Sequence, residues 1–160
     1  VRELEDRAAI SDLIHRYATC VRLRDVAGGR ATLLPDAWFE LRHIPPGDPS
    51  GEGMLMTRLE GAEAMIGGYD SEAGAANQVW PMLHNIMIEL HGDEARASCV
   101  MASAIWPVGH QFVGEYRDRL KRTAAGWRFA SRTYRLIGEV GGTYAAEARV
   151  AYRAVKDGGS

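Results

Sequence analysis

Hydrophobic positions near the start of the chain recur every three or four residues. The apolar members of this repeat are Leu4, Ala8, Leu13, Ile14, Tyr17, Ala18 and Val21. Polar residues such as Asp6 and Arg16 occupy the other side. This spacing predicts an amphipathic helix over residues 4–23, which ends before the pair Gly28-Gly29. A second, short helix is expected over residues 30–35.

Further along, apolar and polar residues alternate, and this alternation predicts strands. We expect a strand over 37–43, a proline-rich loop over 45–49, a returning strand over 54–59, a helix over 61–69 and a loop over 71–78. Long alternating segments follow at 84–90, 95–108, 112–122 and 127–140, with turn signals between them at Gly92-Asp93 and Ala125-Gly126. They predict an antiparallel meander that is long enough to twist and curve. The Ala-rich tail over 143–155 has helical character.

Helices at the beginning and strands at the end indicate an α+β fold. The architecture that buries both is a cone-shaped, curved, mostly antiparallel sheet whose N-terminal helices enclose an apolar pocket. We interpret residues 1–160 as a single domain, with a core over about 4–140 and a tail over 141–160.

Composition narrows the possible partners and the compartment. The formal net charge is −2, which gives no electrostatic reason to expect binding to nucleic acid or to an anionic membrane. No apolar run reaches the ~20 residues that span a bilayer. Cys20 and Cys99 stand in apolar stretches without a CxxC pattern, so buried free thiols in a reducing, cytoplasmic compartment are expected. No HxH or HExxH spacing and no phosphate-binding glycine pattern occurs, so neither a metal nor another cofactor is expected.

Four segments carry a family resemblance. They are LEDRAAISDLIHRYA (4–18), DAWFE (36–40), GEYRDRL (114–120) and GWRFASR (126–132). Together they resemble the opening helix, first strand and closing hairpin of SnoaL-like proteins of the nuclear transport factor 2-like superfamily. Within this superfamily the chain resembles the branch of scytalone dehydratase, bile-acid dehydratase and hexachlorocyclohexane dehydrochlorinase. That branch is cofactor-free and uses a Tyr, an Asp and a His.

The resemblance implies candidate catalytic residues. Tyr17 matches the family Tyr, whereas Arg22 stands where the family Asp is expected, and Asp25 follows three residues later. The segment from Trp80 to His84 resembles the segment that carries the catalytic His, which makes His84 the candidate base. In the alternative alignment the family His falls near Pro81 and is missing. His110 and His43 are further candidates, and each of these histidines has a structural alternative.

A pocket lining is expected from a set of apolar residues rich in Met and Trp. The set is Phe39, Leu41, Met54, Met56, Trp80, Met82, Met101 and Trp106, and it suits a small apolar or aromatic ligand. The resemblance implies a lyase of dehydratase or related type acting on a hydroxylated aromatic or cyclic substrate. Alternatives are a non-catalytic binding or assembly protein and a polyketide-type cyclase. The resemblance also implies a homodimer or homotrimer formed through the outer sheet face, where Arg117, Arg119 and Arg128 alternate.

Overall fold

The computed structural model of the protein describes residues 1–67, 78–107 and 109–141. The described helices are α1 (Arg2–Leu23), α2 (Val26–Arg30) and α3 (Ala62–Ile66). The described strands are β1 (Leu33–His43), β2 (Met54–Glu60), β3 (Gln78–His91), β4 (Glu94–Trp106), β5 (His110–Thr123) and β6 (Gly126–Val140). The predicted tail helix over 143–155 and nearly all of the predicted loop over 71–78 lie outside the described residues.

The strands form one curved, unclosed sheet in the order β2-β1-β6-β5-β4-β3. Neighbouring strands are antiparallel except for β1 and β6, which are parallel. The predicted meander of the last four strands and the α+β fold are therefore confirmed. The short helix expected over 30–35 is wrong, because α2 lies earlier and β1 already begins at Leu33.

Helix α1 packs across the concave face of the sheet. Its apolar stripe, which includes Ile10, Ile14 and Tyr17, is buried in a common core with Trp127 and Phe129 of β6. Fully burying side chains of this size stabilises the fold by about 1.5–3 kcal/mol each. The periodicity that predicted the helix thus also identified the face that meets the sheet.

A polar anchor fixes the first turns of α1 to the hairpin of β5 and β6. Both carboxylate oxygens of Asp6 accept hydrogen bonds from Arg122, at 2.6 Å each, and Oδ1 also accepts one from the Trp127 indole at 3.1 Å. The hydrogen bond from Arg122 holds the pKa of Asp6 at about 2, well below its usual range. The guanidinium of Arg122 also lies 4.5 Å from the centroid of the Trp127 ring.

The end of α1 agrees with the prediction, because the helix ends at Leu23. Arg24 follows in the left-handed conformation with φ 56°. Asp25 therefore does not extend α1; it caps α2, where its Oδ1 accepts a hydrogen bond from the Gly28 N–H at 2.8 Å. Asp25 consequently does not share a helix with Arg22.

Both cysteines are buried free thiols, as the sequence predicts. Burial raises the pKa of Cys99 to about 11, which keeps this thiol protonated near neutral pH. Among the described residues, none of the helices has the length and the apolar character that a bilayer crossing requires.

Candidate functional site

A cavity of about 350 Å³ lies between α1 and the concave face of the sheet. Its walls are predominantly apolar, which is typical of small-molecule sites. The lining residues are Ile14, Tyr17, Ala18, Val21, Phe39, Leu41, Val79, Pro81, Leu83, Met101, Ser103, Ile105, His110, Phe112, Tyr116, Arg132, Tyr134, Leu136 and Glu139. The cavity volume is at the small end of the range for ligand sites, about 300–1,000 Å³, so it suits a ligand of one or two rings.

A histidine–glutamate pair lies in the wall at one end of this cavity. The Nε2 of His110 is 2.8 Å from Oε2 of Glu139, and the Glu139 side chain is only 3% exposed. The His110 ring also packs against Phe112, with ring centroids 5.2 Å apart. A carboxylate accepts hydrogen bonds only, so in this contact Nε2 of His110 donates the hydrogen bond to Glu139.

Glu139 reaches the cavity because β6 contains a bulge. The register of β5 and β6 shifts between Val113 and Gly114, where Ile137 is the extra residue of β6. Leu136 and Glu139 consequently both line the cavity although they are three residues apart, and Ile137 is exposed. Our sequence reasoning did not single out Glu139, because strict alternation from Leu136 places it on the outer face. The available signal was Gly138, since glycine inside a strand often marks a bulge.

A second charged pair is buried deeper in the wall. Arg132 donates to both carboxylate oxygens of Asp118, from Nε at 2.9 Å and from Nη2 at 3.1 Å. Burial raises the pKa of Asp118. Burial alone would lower the pKa of Arg132, but the facing carboxylate raises it above its ordinary value. The guanidinium therefore remains charged and is matched by one carboxylate.

Aromatic rings surround the guanidinium of Arg132. Its central carbon lies 4.4 Å from the ring centroid of Tyr17, 3.9 Å from that of Tyr116 and 4.2 Å from that of Phe129. Such contacts favour a desolvated cation and fix the positions of the rings. Arg132 thereby holds Tyr17 of the helix and Tyr116 of the sheet in the wall of the same cavity.

Tyr134 has a structural role. Its hydroxyl donates a hydrogen bond to the Met101 carbonyl at 2.9 Å, and burial raises its pKa. Gly114 leaves room for this ring, because a Cβ at that position would lie 2.8 Å from Cζ of Tyr134 and 2.2 Å from the backbone oxygen of Arg135. Close packing therefore requires a glycine at position 114, the first residue of the segment GEYRDRL.

The structure brings some of the predicted site residues together. Tyr17, His110, Phe39 and Leu41 all line the cavity, as does Met101. His43 is buried in β1, but it is not among the lining residues.

His84, the predicted base, does not face the cavity. Val79, Pro81 and Leu83 of β3 line the cavity, and His84 points to the opposite, exposed face. A bulge follows, where Asn85 has φ 53° and the register with β4 shifts between His84 and Met87. The expectation that His84 lies in the pocket is therefore wrong.

Arg22 and Asp25 are also outside the cavity lining. Arg22 is exposed, and its guanidinium carbon lies 5.1 Å from the ring centroid of Trp80. Asp25 is exposed at the start of α2. The expected cluster of Tyr17, Arg22, Asp25 and His84 does not form, since only Tyr17 is on the buried side of α1 and β3.

Several expected lining residues lie elsewhere. Trp80 and Met82 share the outer face of β3 with His84, and Trp106 at the end of β4 is 53% exposed. Met54 lies in the edge strand β2 and is not a lining residue. Successive side chains of a strand point to opposite faces, and the largest apolar side chains of β3 stand on the outer face. Size alone therefore predicts the wrong set of lining residues in this strand.

The convex face of the sheet carries a larger, charged groove of about 630 Å³. Arginine and carboxylate side chains line it, including Arg117 and Arg119, which the sequence placed on the outer face. Opposite charges alternate there, as in the contact of 2.9 Å between Arg117 Nε and Glu115 Oε1. Within the part of the chain that the structure describes, no group of three or more His, Cys, Asp or Glu residues is arranged to hold a metal ion.

Comparisons with known proteins agree with this architecture. The profile of the family described as SnoaL-like domain matches residues 2–133. An NTF2-like protein with a cystatin-like fold from Novosphingobium aromaticivorans is 24% identical, with a TM-score of 0.70 over 93% of this chain and 90% of that one. A scytalone dehydratase-like protein from the same organism is 16% identical, with a TM-score of 0.71 over 88% and 89%.

A third solved structure, a hexachlorocyclohexane dehydrochlorinase (LinA) of type 2, is 14% identical, with a TM-score of 0.68 over 86% of this chain and 89% of that one. At these identities the likeness to solved structures shows the fold alone. A comparison with curated proteins finds no match.

Proposed function

The chain belongs to the SnoaL-like domain family, and we propose that it is a cofactor-independent lyase of dehydratase or related elimination type. Its substrate is a small hydroxylated aromatic or cyclic compound. The observation that carries this proposal is the contact of 2.8 Å between His110 and Glu139 in the wall of a predominantly apolar cavity. A titratable pair in such a cavity is a typical arrangement for general acid–base catalysis.

The chemistry requires one group that first accepts and then donates a proton. The neutral imidazole of His110 removes a proton from a carbon next to an activating carbonyl. The electron pair of that C–H bond becomes the new C=C bond, and the bond to the neighbouring hydroxyl oxygen breaks. The imidazolium then returns its proton to the departing oxygen, so the products are an alkene and water. Glu139 orients the ring and stabilises its protonated form.

Tyr17 is the proposed hydrogen-bond donor to the oxyanion that develops on the carbonyl. It lies in the cavity wall, 6% exposed, and its ring is fixed between Phe129 and the guanidinium of Arg132. A positioned donor stabilises charge that develops in the transition state without further reorganisation. The names dehydratase and dehydrochlorinase both denote eliminations, so the structural neighbours that carry them support the proposed reaction type.

A second candidate function is binding without catalysis. It is favoured by the location of Arg22 and His84, because the positions that the family resemblance equates with the Asp and the His are both outside the cavity lining. The two candidates differ in one respect: a binding protein holds a compound that it does not convert. Turnover therefore distinguishes them.

The test is incubation of the protein with a panel of phenolic and cyclic hydroxy compounds, followed by mass spectrometry for loss of water. We expect conversion of at least one compound, and we expect His110→Ala to reduce its rate by ~10²- to 10⁴-fold. His91→Ala is the matched control, because Nε2 of His91 lies 3.9 Å from Oε2 of Glu89 on the exposed surface. Binding of panel compounds without conversion would favour the second candidate.

A further inference from the structure

Ser103 of β4 carries a buried hydroxyl that the described part of the fold does not use. The residue lies in the wall of the cavity and is 2% exposed. Its Oγ has no hydrogen-bond partner among the described residues. A buried hydroxyl without a partner destabilises the folded protein, so its presence in a cavity wall indicates that a ligand supplies the partner.

The register of the sheet places Ser103 close to the histidine–glutamate pair. Ser103 lies directly opposite Phe112 in the ladder of β4 and β5, and His110 is two residues from Phe112 on the same side. Diagonal neighbours of this kind are about 7–8 Å apart, so one small molecule can contact both side chains.

The charges of the cavity restrict the chemical group that binds there. Glu139 places a carboxylate beside His110, which disfavours an anionic group at this end. The charge of Arg132, the cation in the described part of the lining, is already matched by Asp118. A hydroxyl that both donates and accepts is suited to an uncharged oxygen.

We propose that Ser103 is a substrate-binding residue that holds an uncharged carbonyl or hydroxyl oxygen of a one- or two-ring ligand beside His110. This inference rests on the proposed function only in taking the cavity to be the substrate site. The inference specifies that the ligand carries an uncharged oxygen. It also names Ser103 as the residue that distinguishes an oxygenated compound from its hydrocarbon counterpart. Ser103 has no role in proton transfer.

The test compares two probes of similar shape. Acetophenone carries a carbonyl oxygen, and cumene carries a methyl group in place of that oxygen. Dissociation constants are measured by NMR titration for the wild type, Ser103→Ala and Ser98→Ala. We expect the wild type to prefer acetophenone, and we expect Ser103→Ala to lose about 3- to 10-fold of that preference while its affinity for cumene is unchanged. Ser98 on the same strand lines the outer groove, so Ser98→Ala should keep the preference.

Thermal unfolding supplies a second readout. Because the hydroxyl has no partner among the residues that the structure describes, Ser103→Ala should melt at or above the temperature of the wild type. A wild type that does not prefer acetophenone, a preference that survives in Ser103→Ala, or a clearly lower melting temperature of that variant would each overturn the inference. If the preference depends on Ser103 but no panel compound is converted, this inference stands and the proposed lyase activity fails. If conversion depends on His110 but the preference does not depend on Ser103, the proposed lyase activity stands and this inference fails.

Discussion

The imidazole of His110 and the carboxylate of Glu139 lie 2.8 Å apart, although 29 residues separate them in the chain. His110 begins β5 and Glu139 is the penultimate residue of β6, so the antiparallel pairing of the two strands brings these ends together. The bulge at Ile137 then turns Glu139 towards the cavity. A common β-sheet irregularity thus assembles the polar pair on which the proposed chemistry depends.

The first prediction concerns Glu139→Gln. The amide keeps the size of the side chain but removes the charge that stabilises protonated His110. We expect kcat/KM for a converted panel compound to fall by ~10²-fold, mainly through kcat. Glu89→Gln, which alters the exposed histidine–glutamate contact, should have no effect on steady-state rates. Equal rates for Glu139→Gln and the wild type would exclude a catalytic contribution from the charge of Glu139.

The second prediction concerns the buried pair of Arg132 and Asp118. Removing one partner leaves an uncompensated buried charge or carboxyl group, so Arg132→Met should lower the free energy of unfolding by about 3–5 kcal/mol. The double variant Arg132→Met/Asp118→Leu removes both charges and should be more stable than Arg132→Met. Urea denaturation monitored by tryptophan fluorescence measures both. A double variant that is less stable than Arg132→Met would show that the pair stabilises the fold by more than the neutralisation of its own two charges.

The third prediction concerns the stability of the fold in acid. The pKa of Asp6 is about 2 in the folded protein because of the hydrogen bonds from Arg122, whereas an unperturbed aspartate has a pKa of about 3.9. A carboxyl group with a lowered pKa contributes stability that is fully present above the unfolded value and is lost as the pH falls towards the folded value.

The melting temperature of the wild type should therefore fall more steeply between about pH 5 and pH 2 than that of Asp6→Asn. The variant itself should melt several degrees lower than the wild type at neutral pH. Asp12→Asn, on the exposed side of the same helix, is the control and should follow the wild-type curve. Parallel curves for the wild type and Asp6→Asn would contradict the assignment.

The fourth prediction concerns assembly. A strip of apolar and small residues crosses the convex face in register, from Met82 through Ala102 and Val113 to Gly138, and Met82 and Val113 are exposed. Exposed apolar strips often mark contacts between proteins, so we expect a homodimer or homotrimer. Light scattering should give two or three times 17.6 kDa for the wild type and a mass near 17.6 kDa for Val113→Glu. A wild-type mass near 17.6 kDa at micromolar concentration would contradict this prediction.

The fold was predictable from the sequence because periodicity reports burial directly. The repeat through Ile14 and Tyr17 identified the buried face of α1, and turn residues such as Gly92 and Gly126 separated the long strands. Boundaries of the shorter elements were less predictable, because tertiary packing sets them: α2 spans Val26–Arg30 instead of 30–35, and β1 begins at Leu33 instead of residue 37.

The site was predictable only in part. Tyr17 follows the repeat of its helix, Phe39 and Leu41 follow the alternation of their strand, and all three line the cavity. His110 also lines it, although the predicted strand begins only at residue 112. His84 was chosen by the resemblance of its segment, which does not determine the face on which a side chain lies. Glu139 was missed because a single extra residue inverts the alternation of the strand end, and the sequence alone does not place that residue.

The proposed reaction depends most on the removal of a proton from carbon by His110. The most direct measurement is hydrogen–deuterium exchange at the carbon next to the carbonyl of a bound ketone, followed by NMR in D₂O, because it reports proton removal without requiring a leaving group. We predict that the wild type accelerates exchange and that His110→Ala reduces the catalysed rate by ~10²-fold or more, while His91→Ala retains it. Equal catalysed exchange by the wild type and His110→Ala, with both proteins folded and binding the ketone, would contradict the account.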